Sequence, residues 1–362
     1  GTWRDFRRGN KIFEFDPVYG HRAAKSSAIV HNRRATEQYL YVVDCDGFAV
    51  NSLESKPALI RMREAQNKGQ KVVFILGGST VFGTGARTPD ENIATFLEKH
   101  LNADRKKEYT VINAGVGGYT TDTQLRYLMH ELIPLKPDIV IFYDGWNDCG
   151  YLNGLITTHG DRFIQGRARQ SYNVAKRQAS LLYFAPTFKC AVNLGLRLII
   201  ESIAVIPYAG FRVLRRLRKF FPGLLDNPLA ADITEISFHP RSVDIYAYNI
   251  FTASVLCQSF GIKFLHFLEP LLSVGSKIMT EREKTLFDEN ASSGGDVDVY
   301  VNFYRHFEER NFENAKLMEK VDTYSLRNVF HNVSEDVYID TGHLNGRGND
   351  IVAKAMAAVI KG

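Results

Sequence analysis

Short apolar runs alternate with helical segments in the middle of the chain. Runs of mainly β-branched and aromatic residues occupy 72–76, 110–113 and 138–143, and each is followed by a turn that contains glycine. Between these runs, apolar residues recur at helical spacing over 93–101 and 125–132. A continuous apolar run is typical of a strand that is buried on both faces, and alternation of such strands with helices indicates a parallel sheet. We therefore predict an α/β fold.

The same pattern resumes towards the C-terminus after a long interruption. It predicts a helix over 242–260, a strand over 263–268, a helix over 300–320 and a closing amphipathic helix over 349–360. Residues 1–70 are polar and irregular apart from a helical pattern at 58–68, which predicts an N-terminal extension. Residues at about 150–240 are too many for a simple connection, so we interpret them as an insertion or cap within a main domain over 71–362.

Composition places the chain among ordinary globular proteins. Of its 362 residues, 45% are hydrophobic and 23% are charged, which excludes a mostly disordered chain. The formal net charge is only +5, so charge gives no reason to expect a nucleic-acid partner. Cys45, Cys149, Cys190 and Cys257 lie far apart without a C-x-x-C pair, which argues against a zinc knuckle and leaves their disulfide state open.

Three short polar motifs follow the three strands predicted in the middle of the chain. Ser79 lies in the sequence GGST after the first strand, a glycine-rich turn at 113–119 follows the second, and Asn147 lies in DGWND after the third. The carboxyl ends of parallel strands meet at one edge of a sheet, where binding sites form. Each motif alone has a plainer explanation, as a helix cap, a glycine turn or a local asparagine turn. The glycine turn does not match G-x-G-x-x-G, so no nucleotide cofactor is predicted.

A carboxylate and an imidazole lie three residues apart before the closing helix. Asp340 and His343, in the sequence DTGH, can share one loop. The carboxylate would bond one ring nitrogen, fix the tautomer and raise the basicity of the other nitrogen. A metal site would need further ligands, and no second cluster of His and Asp has suitable spacing. The sequence therefore predicts neither a metal nor another cofactor.

The four motifs together suit acyl transfer through an activated serine. Ser79 would attack a carbonyl carbon, His343 would act as the general base, and Asp340 would orient the imidazole. The backbone N–H groups of Ser79 and Gly118 and the side-chain amide of Asn147 would form the oxyanion hole. Four such motifs in this order, each at a predicted strand or helix boundary, rarely arise together by chance.

These motifs resemble the sequence blocks of the SGNH, or GDSL-like, hydrolase family. Ser79 stands at the block I serine, Gly118 at the block II glycine, Asn147 at the block III asparagine, and Asp340 with His343 at the D-x-x-H pair of block V. The resemblance implies a flavodoxin-like, three-layer α/β/α sandwich with a parallel sheet. It also implies an esterase or deacylase activity that needs no metal.

The resemblance covers roughly 71–150 and 240–362, with one departure from the family pattern. Gly78 stands where the block I motif usually has aspartate, and the Gly-Gly-Ser-Thr form resembles a recognised branch of the family. The departure leaves Ser79 in place as the nucleophile and leaves the finer subclass open.

Several residues close to the motifs are candidates for substrate contact. They are Gly117, Tyr119, Trp146 and Tyr151, and for the aromatic ones simple packing is an equally good explanation. The resemblance suggests an O-acyl or O-acetyl ester of a carbohydrate or lipid as the substrate. Two alternatives stay open: an O-acyltransferase that uses the same acyl-enzyme, and a non-catalytic binding module in which at least one motif residue is displaced.

Membrane contact and localisation are predicted only from indirect features. No uncharged run reaches the roughly 18 apolar residues that a membrane span needs. A basic apolar section at 211–221 fits an amphipathic helix that rests on a membrane or lipid surface, or one that packs on the core. The chain opens on Gly1 rather than Met, so we expect that a leader or anchor has been removed and that the protein is extracytoplasmic or membrane-attached.

Overall fold

A five-stranded parallel sheet forms the centre of the computed structural model, which describes residues 12–34, 37–104, 107–159, 236–292, 297–313 and 315–362. In chain order, the described strands are β1 (Phe13–Asp16), β2 (Gly20–Ala23), β3 (Ser27–Arg34), β4 (Glu37–Val43), β5 (Lys71–Gly77), β6 (Tyr109–Asn113), β7 (Ile139–Asp144), β8 (Lys263–Leu268) and β9 (Thr323–Ser325). The described α-helices are α1 (Ala58–Asn67), α2 (Ser79–Phe82), α3 (Ile93–Leu101), α4 (Thr121–Tyr127), α5 (Trp146–His159), α6 (Pro240–Ser259), α7 (Glu281–Ser292), α8 (Val297–Glu308) and α9 (Gly346–Lys361).

The strand order of the central sheet is β6-β5-β7-β8-β9, and each neighbouring pair is parallel. Counted along the chain from β5, this is the order 2-1-3-4-5 of flavodoxin-like folds. The chain turns in opposite directions on the two sides of β5, which opens a crevice outside the carboxyl ends of the strands. The predicted α/β fold class with a flavodoxin-like parallel sheet is confirmed.

Apolar side chains from alternate strand positions fill the layers on the two faces of the sheet. In β5, Phe74 and Leu76 pack in one cluster with α1, α5, α6 and α8, whereas Val73 and Ile75 pack in another with α3 and α9. This division follows from the period of a strand, in which successive side chains point to opposite faces. All four side chains are fully buried, and each such burial stabilises the fold by about 1.5–3 kcal/mol.

The predicted strands and most predicted helices agree with the structure to within a few residues. The helix expected over 300–320 is instead α8 followed by a 3₁₀ turn at Ala315–Lys320. The helix expected over 125–132 begins earlier, as α4, and ends in a π-helical turn at Leu128–Leu132. The prediction omits α7, which is polar along most of its length, and β9, which has only three residues.

The predicted N-terminal extension is present, but the part of 1–70 that the structure describes is not irregular. There, β1 and β2 form one antiparallel hairpin, and β3 and β4 form a second. Ile12, Ala23 and Val43 pack with Phe82 of α2, so the extension covers the helix that follows β5. The pattern is weak because β1 and β2 have only four residues each, and such a ribbon is stable only when it packs on other elements.

The predicted insertion at 150–240 lies mostly outside the described residues. Its first residues, up to His159, continue the helix α5, and its last residues lead into α6. The basic section at 211–221 lies outside the described residues as well. Within the described part of the chain, no helix is both long enough and apolar enough to cross a membrane.

Candidate active site

The first three motifs lie together because they follow three adjacent strands. β5 ends at Gly77, β6 at Asn113 and β7 at Asp144, and β5 lies between the other two in the sheet. Ser79 begins the short helix α2 and is only 7% exposed. The parallel topology thereby brings the serine, the glycine turn and the asparagine to one edge of the sheet.

A loop from the C-terminal part of the chain completes the arrangement at Ser79. The histidine loop, residues 340–345, lies just before α9. The Oγ of Ser79 lies 2.7 Å from Nε2 of His343, and Nδ1 of His343 lies 2.8 Å from Oδ2 of Asp340. A ring that donates from Nδ1 to the carboxylate has Nε2 left as an acceptor for the serine hydroxyl. The serine proton can therefore move to the imidazole.

The carboxylate of Asp340 is held by its own loop. Its Oδ1 accepts the backbone N–H groups of Gly342 and His343 at 3.0 and 2.7 Å. Burial raises the pKa of this carboxyl, but the hydrogen bond and charge of His343 and the two backbone N–H groups outweigh burial. The pKa of Asp340 therefore lies well below its usual range, and the group is ionised near neutral pH.

Residues from other segments hold the histidine loop and the residues just before it. The backbone N–H of Leu272 donates to the carbonyl oxygen of Thr341 at 3.0 Å. Just before the loop, Oε1 of Glu283 accepts the N–H groups of Val337 and Tyr338 at 3.0 and 3.2 Å. Glu283 is fully buried, so these hydrogen bonds are shielded from water.

The ring of Trp146 packs against the histidine loop. It meets the His343 ring edge-on, with the ring centroids 4.8 Å apart. A Cβ on Gly342 would collide with the indole, so this contact requires glycine at that position. Trp146 is the first residue of α5, and its backbone N–H donates to Oε1 of Glu269 at 2.8 Å. The start of α5 therefore supports the imidazole.

The glycine loop, residues 114–120, has a single residue that reaches the surface. Gly118 is partly exposed, whereas 109–117 and 119–121 are buried. Its φ is +78°, a left-handed conformation that glycine adopts at little cost. Among the residues that the structure describes, no acceptor pairs with the backbone N–H of Gly118 or of Ser79. Both N–H groups are therefore available to a ligand oxygen.

Asn147 joins the serine turn to the glycine loop. Its Nδ2 donates to the carbonyl oxygen of Tyr119 at 3.0 Å, which leaves the second N–H of the amide for another acceptor. A Cβ on Gly78 would collide with this Nδ2 atom. A side chain at position 78 would therefore require the Asn147 amide to move from its present place.

The next residue of α5 fixes the far end of the glycine loop. Asp148 is buried, and its Oδ1 accepts the backbone N–H of Thr121 at 3.0 Å and the hydroxyl of Thr121 at 2.6 Å. Burial and then the charge of Asp144 raise the pKa of Asp148, while the hydrogen bonds from Thr121 oppose this rise. Two consecutive side chains of α5 thus hold the glycine loop.

A buried polar cluster lies at the carboxyl ends of β7 and β8. The hydroxyl of Tyr246 donates to Oδ1 of Asp144 at 2.7 Å, and Nε2 of His266 lies 2.9 Å from this hydroxyl. Glu269 follows β8, and burial raises its pKa to about 8, although the N–H of Trp146 opposes the rise.

In the described part of the chain, no three His, Cys, Asp or Glu side chains converge to hold a metal ion.

The four residues predicted to contact the substrate have different surroundings. Tyr119 is only 1% exposed, and its hydroxyl donates to the carbonyl oxygen of His21 at 2.7 Å. Gly117 is buried, whereas Trp146 and Tyr151 are partly exposed on α5. Packing, the alternative explanation, therefore describes Tyr119. Of the four candidates, Trp146 and Tyr151 are the ones with exposed surface.

Several residues around the site are absent from the sequence prediction. His21 and Phe13 of the N-terminal hairpin contact the glycine loop, and no local pattern points to them. The sequence does contain a signal for Glu269, because this polar residue directly follows an apolar run that predicts a strand. Ser79 and Asn147 are recognised from their position close to a strand end in the same way.

The α/β fold and the contact of a serine, an imidazole and a carboxylate at the strand ends fit an ester-hydrolysing enzyme. A family model described as "GDSL-like Lipase/Acylhydrolase family" matches residues 75–231. The match confirms the predicted resemblance to GDSL-like (SGNH) hydrolases over that range. The matched range contains Ser79, Gly118 and Asn147 but ends before Asp340 and His343.

Solved structures with similar folds include esterases and an acylhydrolase. The acetyl xylan esterase AlAXEase is 17% identical, with 80% of this chain and 99% of that chain covered and a TM-score of 0.41. The acetylxylan esterase Axe2 from Geobacillus stearothermophilus is 13% identical, with 81% and 95% covered and a TM-score of 0.39. The lipase/acylhydrolase from Enterococcus faecalis is 14% identical, with 81% and 96% covered and a TM-score of 0.38. These low values carry no argument about substrate. No curated protein matches the chain.

Proposed function

We propose that the protein hydrolyses a carboxylic ester through an acyl-enzyme on Ser79. The observation that carries this proposal is the continuous contact of three groups: Ser79 Oγ lies 2.7 Å from Nε2 of His343, whose Nδ1 lies 2.8 Å from Asp340. These are hydrogen-bond distances for a nucleophile, its general base and an orienting carboxylate. The low pKa of Asp340 keeps the orienting group charged while the imidazole gains and loses a proton.

The reaction proceeds in two balanced halves. Ser79 Oγ bonds to the ester carbon while its proton moves to Nε2 of His343, and the carbonyl oxygen becomes an oxyanion. The oxyanion accepts hydrogen bonds from the N–H groups of Ser79 and Gly118 and from Nδ2 of Asn147. The C–O bond to the alcohol then breaks, and His343 gives its proton to the alcohol oxygen. Water next attacks the acyl-serine, with His343 again as the base, and releases the carboxylic acid.

The substrate class belongs to the same proposal. An O-acyl or O-acetyl ester of a carbohydrate or lipid is the class that the family resemblance implies. Trp146, which is partly exposed and packs against the His343 ring, offers an apolar contact surface beside the reacting groups. A panel of esters that varies the acyl chain length and the alcohol identifies the preferred substrate.

Labelling and mutation of the serine test the proposal directly. A fluorescent phosphonate should label the wild-type protein and should not label Ser79→Ala, and ester hydrolysis should fall to background in this variant. The chain offers a matched control, because Ser276 Oγ also contacts an imidazole, Nδ1 of His331, at 3.2 Å on the surface. Ser276→Ala should keep full labelling and activity. Hydrolysis that persists in Ser79→Ala would refute the proposal.

The two alternatives predict different outcomes. An acyltransferase would give an acylated acceptor in place of the free acid, so product analysis with and without an acceptor alcohol distinguishes it from a hydrolase. A non-catalytic binding module requires a displaced motif residue. The contacts that link Ser79, His343 and Asp340 support the hydrolase proposal over this alternative.

A further inference from the structure

One hydrogen bond joins the N-terminal hairpin to a peptide group of the glycine loop. In this hairpin, β1 pairs with β2, and His21 lies opposite Phe15. The ring Nε2 of His21 lies 2.8 Å from the carbonyl oxygen of Gly117. A carbonyl oxygen can only accept, so Nε2 carries the hydrogen in this contact. The hairpin lies before residue 75, where the family match begins.

The carbonyl of Gly117 and the N–H of Gly118 belong to the same peptide group. This group is planar, and in the trans form its C=O and N–H point in opposite directions. A hydrogen bond that fixes the carbonyl therefore fixes the direction of the N–H as well. The same bond polarises the amide and makes its N–H a stronger donor.

Neighbouring contacts hold the His21 side chain against the loop. The hydroxyl of Tyr119 donates to the carbonyl oxygen of His21 at 2.7 Å, and the two rings meet edge-on with their centroids 5.4 Å apart. On the other side, the ring of Phe13 covers Gly117, where an added Cβ would lie 2.9 Å from the Phe13 Cζ atom. The centroid of the Phe13 ring also lies 5.0 Å from the centroid of the Phe82 ring in α2. The hairpin is thus packed on both the glycine loop and the serine helix.

We propose that His21 is a positioning residue, which aims the N–H of Gly118 at the oxyanion through its hydrogen bond to the carbonyl of Gly117. This inference rests on the proposed function, because it assigns a task to one donor of the proposed oxyanion hole. Gly118 has backbone freedom at φ +78°, so a bond from outside the loop is a physical means of restricting its peptide. His21 itself touches neither the substrate nor the reacting atoms.

Two variants of His21 separate positioning from simple packing. His21→Phe keeps an aromatic ring but removes the donor, whereas His21→Gln keeps an N–H that can reach the carbonyl of Gly117. We expect kcat of the phenylalanine variant to fall about 10- to 100-fold, less than the roughly 10²–10³-fold typical of a deleted oxyanion donor, because the Gly118 N–H is still present. KM should stay within about twofold, since the donor acts mainly in the transition state.

Binding of a tetrahedral adduct provides a readout that packing alone would not change. Phenylboronic acid forms such an adduct with a nucleophilic serine, and one boronate oxygen takes the place of the oxyanion. The affinity of phenylboronic acid for the His21→Phe variant should fall by the same factor as kcat. The His21→Gln variant should keep most of the wild-type affinity and most of the wild-type kcat. The matched control is Arg22→Gln, which removes the exposed 2.8 Å ion pair with Glu14 in the same hairpin and should behave as wild type.

The outcomes are distinguishable from a failure of the proposed function. Wild-type kcat in His21→Phe, with Ser79→Ala inactive, overturns the role of His21 and leaves the esterase proposal intact. Activity in Ser79→Ala overturns the esterase proposal first. If both His21 variants show a lower kcat, a higher KM and a lower melting temperature, the inference is also overturned, because such a result shows a packing role only.

Discussion

The two loops that meet at Ser79 are held to different degrees by their own residues. In the histidine loop, Oδ1 of Asp340 accepts two N–H groups of the same loop and Oδ2 contacts the His343 ring, in addition to the contacts from other segments. The glycine loop has an internal backbone bond from Tyr119 to Val116, and its side-chain hydrogen bonds come from His21 of the N-terminal hairpin and from Asn147 and Asp148 of α5.

This difference separates the two tasks of the site. The proposed base and its orienting carboxylate are three residues apart, so their relation should survive small movements elsewhere in the fold. The proposed oxyanion donors come from the serine helix, the glycine loop and α5, so their geometry depends on how three distant segments pack. Mutations far from Ser79 should therefore disturb the oxyanion side more than the base side.

The largest expected effect comes from the internal support of the histidine loop. Asp340→Asn should lower kcat by about 10⁴-fold, because the amide no longer favours the ring tautomer with an acceptor at Nε2. Steady-state kinetics on the best ester measures the loss. Asp336→Asn is a matched control from the same segment, since Asp336 faces Arg282 at 3.7 Å and not His343. Near-wild-type kcat for Asp340→Asn would show that the loop does not depend on its own carboxylate.

The next effect tests the outer support of the glycine loop. Asn147→Ala should lower kcat by roughly 10²–10³-fold, because it removes one proposed oxyanion donor and the 3.0 Å bond to Tyr119. KM should change little, and phosphonate labelling should slow in proportion. Asn302→Ala, at a partly exposed position of α8, serves as the control. A loss confined to KM would assign Asn147 to substrate binding instead.

The smallest effect, taken over a single pH unit, concerns Glu269, which supports the start of α5. Its folded pKa is raised to about 8, whereas glutamate in an unfolded chain titrates near about 4.3. Between these values the folded state binds more protons. Glu269 should therefore cost stability as pH rises from about 5 to about 8, by at most about 1.4 kcal/mol per pH unit.

Urea unfolding at several pH values measures this contribution. Glu269→Gln cannot ionise, so its free energy of unfolding should rise relative to wild type as pH increases over that window. Glu281→Gln changes a side chain that is 91% exposed and should follow the wild-type curve. If the Glu269→Gln and wild-type curves run parallel, Glu269 does not carry a raised pKa.

Local patterns account for the parts of the fold and site that were predicted. The strand β8 has the bounds expected from its apolar run, and α3 has the bounds expected from its helical spacing. Ser79 and Asn147 were recognised because polar residues close to the ends of buried strands lie at one sheet edge. The hairpin β1–β2 was missed because its strands are too short to show a period and are stable only against the rest of the molecule.

The parallel sheet, its helices and the residue types gathered at its edge follow from the amino-acid sequence, because periodicity and chain order are local properties. The direction of the Gly117 carbonyl, the contact that a side chain at position 78 would make with the Asn147 amide and the raised pKa of Glu269 follow only from the folded molecule. Each of these depends on atoms from segments far apart in the chain. Their distances and shielding from water arise only when the segments pack together.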